Sequence, residues 1–340
     1  MLASLTPGIC SGQSEDSGEL VHLDIKGLPV APITCLQKDR YGALWIGTEN
    51  GLCRYDGVNV DVYRNIPGDS TSLPGNNFVK DMVMDDRGMI WVSCFGGVGV
   101  FDPHLGGRSS PLPFDPQTLL NLSGRYSSID AGDLFLDHEG GIWLTCARGG
   151  LAHFDTASGM FQDLRELHDA LPADQENPFT TGVIRDEEGM VWCTDAISVY
   201  SFDPGTLRIE RHATSITAQD ARKGIHLTGL IQDPHDPNTL WLGSRGAGLL
   251  HFDKRTGASE SCTITHGGVS DLSNIVWSLL PGKNGHLLVA IDKELREFDP
   301  LTRGFGNAIG TLEFGSGKFE YIANTLMRDE DERIWTGTFN

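Results

Sequence analysis

Tryptophan recurs at an almost constant interval along this 340-residue chain, and this recurrence restricts the possible fold more than any other feature. Four copies follow an Asp-x-x-Gly turn and two follow altered turns: Trp45, Trp91, Trp143, Trp192, Trp241 and Trp335. Leu288 occupies the same slot before the last copy, so successive spacings are 46, 52, 49, 49, 47 and 47 residues. A period of roughly 40–50 residues with strand signals is typical of a β-propeller.

Each repeat divides into four strands. The first precedes the turn, the second carries the tryptophan, the third ends on an aromatic-Asp pair, and the fourth is the least distinct. The pairs are Tyr55-Asp56, Phe101-Asp102, Phe154-Asp155, Phe202-Asp203, Phe252-Asp253 and Phe298-Asp299. This pattern predicts an all-β fold, a seven-bladed β-propeller of four-stranded antiparallel blades whose last blade is incomplete in this chain.

The repeats predict one propeller domain over residues 20–340, after a small, polar and acidic stretch over residues 1–19 that is expected to be a disordered lead-in. The predicted second strands lie at about 44–48, 90–94, 142–146, 191–195, 240–244, 287–291 and 334–338. The seventh repeat stops inside its second strand, so the strand Val21 to Ile25 is expected to supply a missing outer strand. We also expect the chain to be a fragment of a longer protein.

Composition argues against several classes of partner. The chain has 26 Lys and Arg against 46 Asp and Glu, a formal charge of −20. Binding to a phosphate backbone needs clustered cations, so a nucleic-acid partner is not expected. Anionic membranes are disfavoured for the same reason, no apolar run is long enough for a membrane span, and no signal peptide is visible.

The seven cysteines lack zinc spacing and leave the redox compartment open. Cys94 and Cys146 are interpreted as small buried residues filling one repeat slot.

The sequence presents no catalytic constellation. There is no G-x-S-x-G, HExxH or P-loop motif, so we predict no catalytic residue, no metal site and no cofactor. His153 and His251 occupy equivalent third-strand positions and are interpreted as architectural. In each Asp-x-x-Gly turn the aspartate is expected to accept backbone N–H bonds and the glycine to adopt a positive φ. One carboxylate per turn provides too few oxygen ligands for calcium.

The repeated tryptophans are predicted to pack between neighbouring blades, because a residue fixed by a repeat usually serves the scaffold. Sugar stacking is the alternative. Ligand-binding residues are expected where the repeats differ, on the face formed by the second-to-third and fourth-to-first connections. The candidates from that face are Arg148, Arg245, Phe95, Asp195, Lys293 and Glu49. Arg148 and Arg245 each begin an Arg-Gly pair, which favours capture of an anionic group; a solvated loop charge or a surface salt bridge is the other interpretation.

The segment Asp39 to Asp56 reads D-x-x-G-x-L-W-I-G-T-x-x-G-L-x-R-Y-D, and it resembles the two-component regulator propeller repeat. The resemblance extends from Val21 to the end of the chain, although Leu288 and Glu332 depart from the pattern. It implies a periplasmic sensor region of a hybrid histidine kinase, the extracytoplasmic part of an inner-membrane protein. Such a sensor would bind a carbohydrate or another polar small ligand and signal as a homodimer. The matching residues are scaffold residues, so the resemblance transfers no binding residue.

Two other functions stay open at this point. Streptogramin lyase-like proteins are also seven-bladed propellers, and that function would require a histidine or glutamate base and carboxylate metal ligands near the channel. A stand-alone propeller that binds another protein is the second alternative.

Overall fold

The computed structural model describes residues 2–6, 9–10, 21–23, 25–69, 71–105, 109–110, 131–146, 150–162, 182–264, 274–311 and 322–339. Within these residues the protein is built of short strands, one five-residue α-helix and two 3₁₀ turns. The strands form six four-stranded antiparallel sheets and a seventh, mixed sheet. The all-β prediction is therefore confirmed.

Each of the six four-stranded sheets, named blades 1 to 6 in chain order, joins strands that are consecutive in sequence. Blade 1 contains β4 (Ile33–Lys38), β5 (Leu44–Thr48), β6 (Gly51–Tyr55) and β7 (Val60–Tyr63). Blade 2 contains β8 (Val79–Met84), β9 (Ile90–Cys94), β10 (Gly97–Phe101) and β11 (Ser109–Ser110). Blade 3 contains β12 (Ala131–Leu136), β13 (Gly141–Cys146), β14 (Gly150–Asp155) and β15 (Met160–Gln162).

The remaining three blades repeat the arrangement. Blade 4 contains β16 (Gly182–Arg185), β17 (Val191–Thr194), β18 (Ser198–Asp203) and β19 (Arg208–Ala213). The helix α1 (Ala218–Arg222) follows it and is capped by the Thr217 side chain. Blade 5 contains β20 (His226–Gln232), β21 (Thr239–Arg245), β22 (Leu249–Asp253) and β23 (Ser259–Cys262). Blade 6 contains β24 (Val276–Pro281), β25 (Leu287–Ile291), β26 (Glu294–Asp299) and β27 (Gly304–Thr311).

The seventh sheet differs from the other six. The last two strands, β28 (Ile322–Arg328) and β29 (Ile334–Phe339), form an antiparallel hairpin. In the third-strand position β1 (Leu2–Thr6) pairs with β29 in parallel, and β2 (Ile9–Cys10) and β3 (Val21–His22) both pair with β1. Seven four-stranded blades are therefore not confirmed, because the structure shows six complete blades and one mixed sheet.

The N-terminal residues also differ from the expectation. Residues 2–6 and 9–10 form strands of the seventh sheet, where a disordered lead-in over residues 1–19 was predicted. The strand predicted from Val21 to Ile25 is shorter and joins this sheet through β1, so it does not pair directly with the hairpin. Parallel pairing leaves β1 without the antiparallel register of the other third strands.

The first strands line the inside of a ring. Each contacts the first strand of the next blade, and β28 contacts both β24 of blade 6 and β4 of blade 1. The hairpin of the seventh sheet therefore closes the ring between blades 6 and 1. The third and fourth strands lie toward the rim. The inner wall of the ring is therefore formed by the first strands, β4, β8, β12, β16, β20, β24 and β28.

Each tryptophan of blades 1 to 5 packs against the third-strand phenylalanine of the next blade. The centroid distances are 6.3 Å for Trp45–Phe101, 4.9 Å for Trp91–Phe154, 6.2 Å for Trp143–Phe202, 6.1 Å for Trp192–Phe252 and 4.7 Å for Trp241–Phe298. Trp335 and Tyr55 join the same apolar cluster at the closing interface. The tryptophans thus act as wedges between blades, as the repeats predict, and each is buried by its neighbour.

The turn aspartates hold these wedges in place. In blade 3, Asp137 Oδ1 accepts the N–H groups of Glu139 and Gly141, while Asp137 Oδ2 accepts the Trp143 Nε1–H at 2.9 Å. The same indole-to-carboxylate bond occurs in every repeat that has a tryptophan in this slot. Its lengths are 2.8 Å to Asp39, 3.0 Å to Asp85, 2.7 Å to Asp186, 2.6 Å to Asp233 and 2.9 Å to Asp329. The turn glycines Gly42, Gly88, Gly140 and Gly189 have φ between 83° and 87°, as predicted.

Several of these buried carboxylates receive a cation from the following blade. Arg185 of blade 4 lies 3.1 Å from Asp137 of blade 3, and Lys254 of blade 5 lies 2.8 Å from Asp186 of blade 4. Lys38 of blade 1 makes the equivalent contact with Asp329 of the seventh sheet at 3.3 Å. Each of these blade interfaces therefore combines an aromatic wedge with a charged bond.

Candidate ligand site

Backbone hydrogen bonds show which connections share a face of the ring. The Gly51 N–H donates to Asn77 O at 2.8 Å, and the Leu227 N–H donates to Ala196 O at 2.8 Å. The first bond ties the start of β6 to the connection that leads into β8, and the second ties the β17–β18 connection to the start of β20. These connections therefore lie together, as the sequence predicts, and this side of the ring is called the upper face.

Arg245 stands on the upper face at the end of β21. Its side chain is exposed, and its guanidinium carbon lies 5.6 Å from the centroid of the Trp277 ring. Trp277 lies where the pairing of β24 with β25 shifts by one residue between Val276 and Ser278. Such a bulge re-aims a side chain, and here it places the indole beside the guanidinium.

His226 is the third member of this group. It is the register partner of Arg245 in the pairing of β20 with β21. Burial lowers the pKa of the His226 imidazole, and the positive charge of Arg245 lowers it further. A backbone hydrogen bond with Gly224 engages the ring N–H. The neutral ring therefore keeps one nitrogen as a hydrogen-bond acceptor. Arg245, Trp277 and His226, named the upper-face cluster, combine a cation, an aromatic face and a neutral imidazole.

The other predicted site residues have different surroundings. Glu49 is exposed on the upper face, and its N–H donates to Pro32 O at 3.2 Å. Lys293 is half-buried in the turn between β25 and β26. Phe95 is half-buried and packs edge-on against Phe78 with ring centroids 4.7 Å apart.

Asp195 is buried and occupied by its own turn. Its Oδ1 accepts the N–H groups of Ile197 and Ser198, and its Oδ2 accepts the Tyr200 hydroxyl at 2.7 Å. Both carboxylate oxygens therefore serve the β17–β18 connection. Arg148 lies outside the described residues. Of the predicted binding residues, the upper-face cluster contains Arg245, and its other two members, Trp277 and His226, were not predicted.

A second group lies between the first strands of blades 2 and 3. Asp81 on β8 and Asp133 on β12 occupy the same repeat position, four residues before the turn aspartate. Asp81 Oδ2 accepts the Leu134 N–H across the blade interface at 2.8 Å. Burial and the neighbouring Asp133 raise the pKa of Asp81 to about 7, and burial also raises the pKa of Asp133.

The sequence carried signals for both groups. Other repeats have Cys35, Gly182, Gly229, Ser278 or Thr325 four residues before the turn, so carboxyl groups at this position are unusual within the chain. Aligning the first strands would have revealed them. Trp277 could be read as an extra aromatic, but its neighbour depends on a bulge that sequence periodicity does not show.

Histidines and possible metal ligands complete the description of the site. The His153 ring lies 4.3 Å from the Trp143 ring and 3.8 Å from Asp137 Oδ2, and the His251 ring lies 5.2 Å from the Trp241 ring. Both histidines thus flank wedges. Within the described residues, no group of three or more His, Cys, Asp and Glu could hold a metal ion. No helix among those same residues is both long and apolar enough to cross a bilayer.

Comparisons with known proteins agree with the repeat pattern. The two-component regulator propeller model matches residues 27–50. A curated relative, histidine kinase P4 of Formosa agariphila, is 43% identical over 49 residues, which is 14% of this chain and 4% of that protein. The chain thus aligns with only a small part of the curated relative's length.

Solved structures share the fold at low identity. The extracellular domain of a putative hybrid two-component system from B. thetaiotaomicron has a TM-score of 0.67 and 18% identity, over 92% of this chain and 39% of that chain. Virginiamycin B lyase from Staphylococcus aureus has a TM-score of 0.59 and 10% identity, over 90% of this chain and 94% of that chain. At these identities the likeness concerns the fold.

Proposed function

Because the chain carries a repeat of the two-component regulator propeller family, we propose that it is the ligand-sensing propeller of a hybrid two-component sensor histidine kinase. In this proposal it works outside the cytoplasm, in the periplasm, and catalyses no reaction itself. The curated relative that shares the repeat is a histidine kinase, and a structural neighbour is the extracellular domain of a putative hybrid two-component system. The parent sensor would act as a homodimer.

The observation that carries the binding proposal is the contact between Arg245 and Trp277. An exposed guanidinium offers a bidentate partner for a carboxylate or sulfate, and the half-buried indole beneath it offers an apolar edge to a ring. Neutral His226 adds a hydrogen-bond acceptor next to them, because its ring N–H is engaged by the Gly224 backbone. These groups suit a ring-shaped polar ligand that carries an anionic group, such as a fragment of an acidic glycan.

The test is calorimetric titration of the purified chain with a panel of acidic and neutral oligosaccharides. Binding of an acidic member that is weakened at least tenfold in Arg245→Ala supports the proposal. Arg208→Ala is the matched control, because Arg208 is an exposed arginine on the fourth strand of blade 4 and pairs with Glu210 at 2.6 Å. Equal affinity of Arg245→Ala and wild type for every ligand bound would overturn the assignment of the site.

We further propose that β28 and β29 are the inner half of a seventh blade. The Trp335-to-Asp329 bond repeats the geometry of the complete blades, and the hairpin packs against both blade 6 and blade 1. A chain extended beyond Asn340 that gains antiparallel third and fourth strands on this hairpin would support the proposal. An extended chain that keeps β1 in the third-strand position would contradict it.

A lyase is the second candidate, because virginiamycin B lyase overlaps this chain over nearly the full length of both proteins. Incubation with a streptogramin B antibiotic, with and without an added divalent cation, separates the two functions. Breakdown of the antibiotic together with metal-dependent thermal stabilisation would favour the lyase. Intact antibiotic with binding of an acidic oligosaccharide would favour the sensor. Binding of another protein alone would favour an interaction propeller.

A further inference from the structure

Asp81 and Asp133 occupy the same repeat position on the neighbouring first strands of blades 2 and 3. The β8 and β12 strands contact each other along the inner wall of the ring. Asp81 reaches across this interface, since its Oδ2 accepts the N–H of Leu134, the residue that directly follows Asp133. The other oxygen, Asp81 Oδ1, accepts the Met82 N–H at 2.8 Å. The bond to Leu134 therefore holds the Asp81 carboxyl against the strand that carries Asp133.

The backbone around Asp133 is fixed in this position. The pairing of β12 with β13 shifts between Ala131 and Leu134, and the Asp133 N–H donates to Thr145 Oγ1 at 2.7 Å. Ser93 Oγ of blade 2 donates to Gly132 O of blade 3 at 2.7 Å. A Cβ at Gly132 would lie 2.3 Å from Thr145 Oγ1, so this approach requires a glycine. The bond from Ser93 to Gly132 thus holds blade 2 against blade 3 next to the two carboxyl groups.

The scaffold does not need a carboxyl group at this position. Ser278 of blade 6 is the repeat equivalent of Asp81, and Leu326 of the seventh sheet is the equivalent of Leu134. The Leu326 N–H donates to Ser278 Oγ at 3.2 Å, which is the same interblade bond made with a neutral hydroxyl. A serine can therefore accept the interblade N–H bond as Asp81 does, and the scaffold does not require the acidic group of Asp81.

The charged and titratable groups that face the pair from the packed strands are few. On β8 itself Lys80 favours the ionised form of both carboxyl groups. From β4 of blade 1 the Cys35 thiol faces Asp81, and its pKa is raised first by burial and then by Asp81. Ser93 and Thr145 contribute hydroxyl groups. Two carboxylates in one buried place repel each other, and a shared proton removes the repulsion.

We propose that Asp81 and Asp133 form a proton-sharing carboxyl pair, which makes the interface between blades 2 and 3 sensitive to pH in the neutral range. The pair holds a proton below that range and loses it above. The folded protein then binds protons more tightly than the unfolded chain, so stability falls as pH rises from about 4 through about 7. The proposal is independent of any ligand and of the sensor function.

The first experiment compares melting temperatures of wild type, Asp81→Ser and Asp133→Asn between about pH 5 and about pH 9. Wild type should lose several degrees relative to Asp81→Ser across the neutral range, because Asp81→Ser cannot share a proton. Asp133→Asn keeps the buried Asp81 but removes its charged neighbour, so its loss should be smaller than that of wild type and should occur at lower pH. Asp81→Ser copies the Ser278 arrangement and is expected to fold. Melting curves of wild type and variants that shift in parallel over the whole range would overturn the proposal.

A second measurement tests the proposal on wild type, and one variant then checks its electrostatic origin. Infrared difference spectra of wild type should show the carbonyl band of a protonated carboxyl group that disappears near pH 7. Lys80→Met should move this transition to higher pH, because removing the cation favours the protonated form; a merely structural lysine would leave the midpoint unchanged. Absence of a carboxyl proton at pH 6 in wild type would also overturn the proposal.

Discussion

Lys38 and Asp329 are 291 residues apart in sequence, and the Lys38 ammonium donates to Asp329 Oδ2 at 3.3 Å. The lysine side chain is 12% exposed and the aspartate side chain is fully buried. Burial raises the pKa of the Asp329 carboxyl, but the Trp335 indole, the Arg333 N–H and Lys38 together hold it below its usual range. The ring therefore closes on a charged bond between its first and last repeats.

Removing the Lys38 cation should weaken this closing interface. Lys38→Met keeps most of the apolar stem but leaves the buried Asp329 carboxylate with one charged partner fewer. We expect a loss of about 2 kcal/mol in the free energy of unfolding, measured by urea denaturation. Lys223→Met is the control, since Lys223 is 62% exposed and 3.9 Å from Asp220. Equal midpoints for both variants would show that the bond does not stabilise the closure.

Two substitutions of Trp143 separate wedge packing from hydrogen bonding. Trp143→Ala should destabilise by about 3–5 kcal/mol because it leaves a cavity against Phe202. Trp143→Phe keeps an aromatic ring and removes the donor to Asp137, so it should cost about 1–3 kcal/mol. Calorimetric melting checks both values. An unchanged melting temperature for Trp143→Ala would contradict the structural role of the repeated tryptophans.

Glu332 occupies the turn position that glycine holds in blades 1 to 4. It has a φ of 60°, in the left-handed region that disfavours a side chain. Glu332→Gly should therefore stabilise the protein by about 0.5–1 kcal/mol, even though it removes the ion pair with Arg328 at 2.6 Å. Glu187→Gly, in an exposed position of the blade 4 turn, is the control and should not stabilise. Denaturant midpoints report both changes.

The turn aspartates should make the stability of the fold depend on pH in the acidic range. Burial opposes ionisation of Asp137, but bonds from Trp143, Gly141, Glu139 and Arg185 leave its pKa below the usual range. A carboxyl group with a lowered folded pKa contributes stability above its unfolded pKa of about 4 and loses it as pH falls through the folded pKa. Stability should therefore decline below about pH 4. Asp137→Asn should be less stable than wild type at pH 6, and the difference should shrink at about pH 2.

Much of the fold follows from the sequence because strand and turn signals repeat. The observed second strands overlap all seven predicted ones, and the glycine turns and interblade wedges agree with the pattern. The indole bond to Asp39 and its equivalents joins residues six apart, or eight apart in blade 5, and it depends on ring orientation that periodicity does not define. The bond between Lys38 and Asp329 depends on ring closure, which no local pattern specifies.

The site was less predictable than the fold. Arg245 was identified as an unusual charge in a connection, whereas its partner Trp277 is placed by a bulge in a different blade. Asp195 looked like a ligand-binding residue because it lies in a variable connection, but a neighbouring hydroxyl and two N–H groups occupy its oxygens. Loop chemistry alone does not distinguish a side chain that folds back onto its own turn from one that points outward.

Because each wedge belongs to one repeat and is buried by the next, a single repeat carries only half of each of its interfaces. Excising blade 3 would expose Trp91 of blade 2 and remove the aromatic partner that Phe202 of blade 4 receives from Trp143. The stability of the fold therefore resides in the contacts between repeats, and all repeats should unfold together in one cooperative transition. A single repeat is therefore a unit of sequence duplication, but it is stable only when its neighbouring repeats are present.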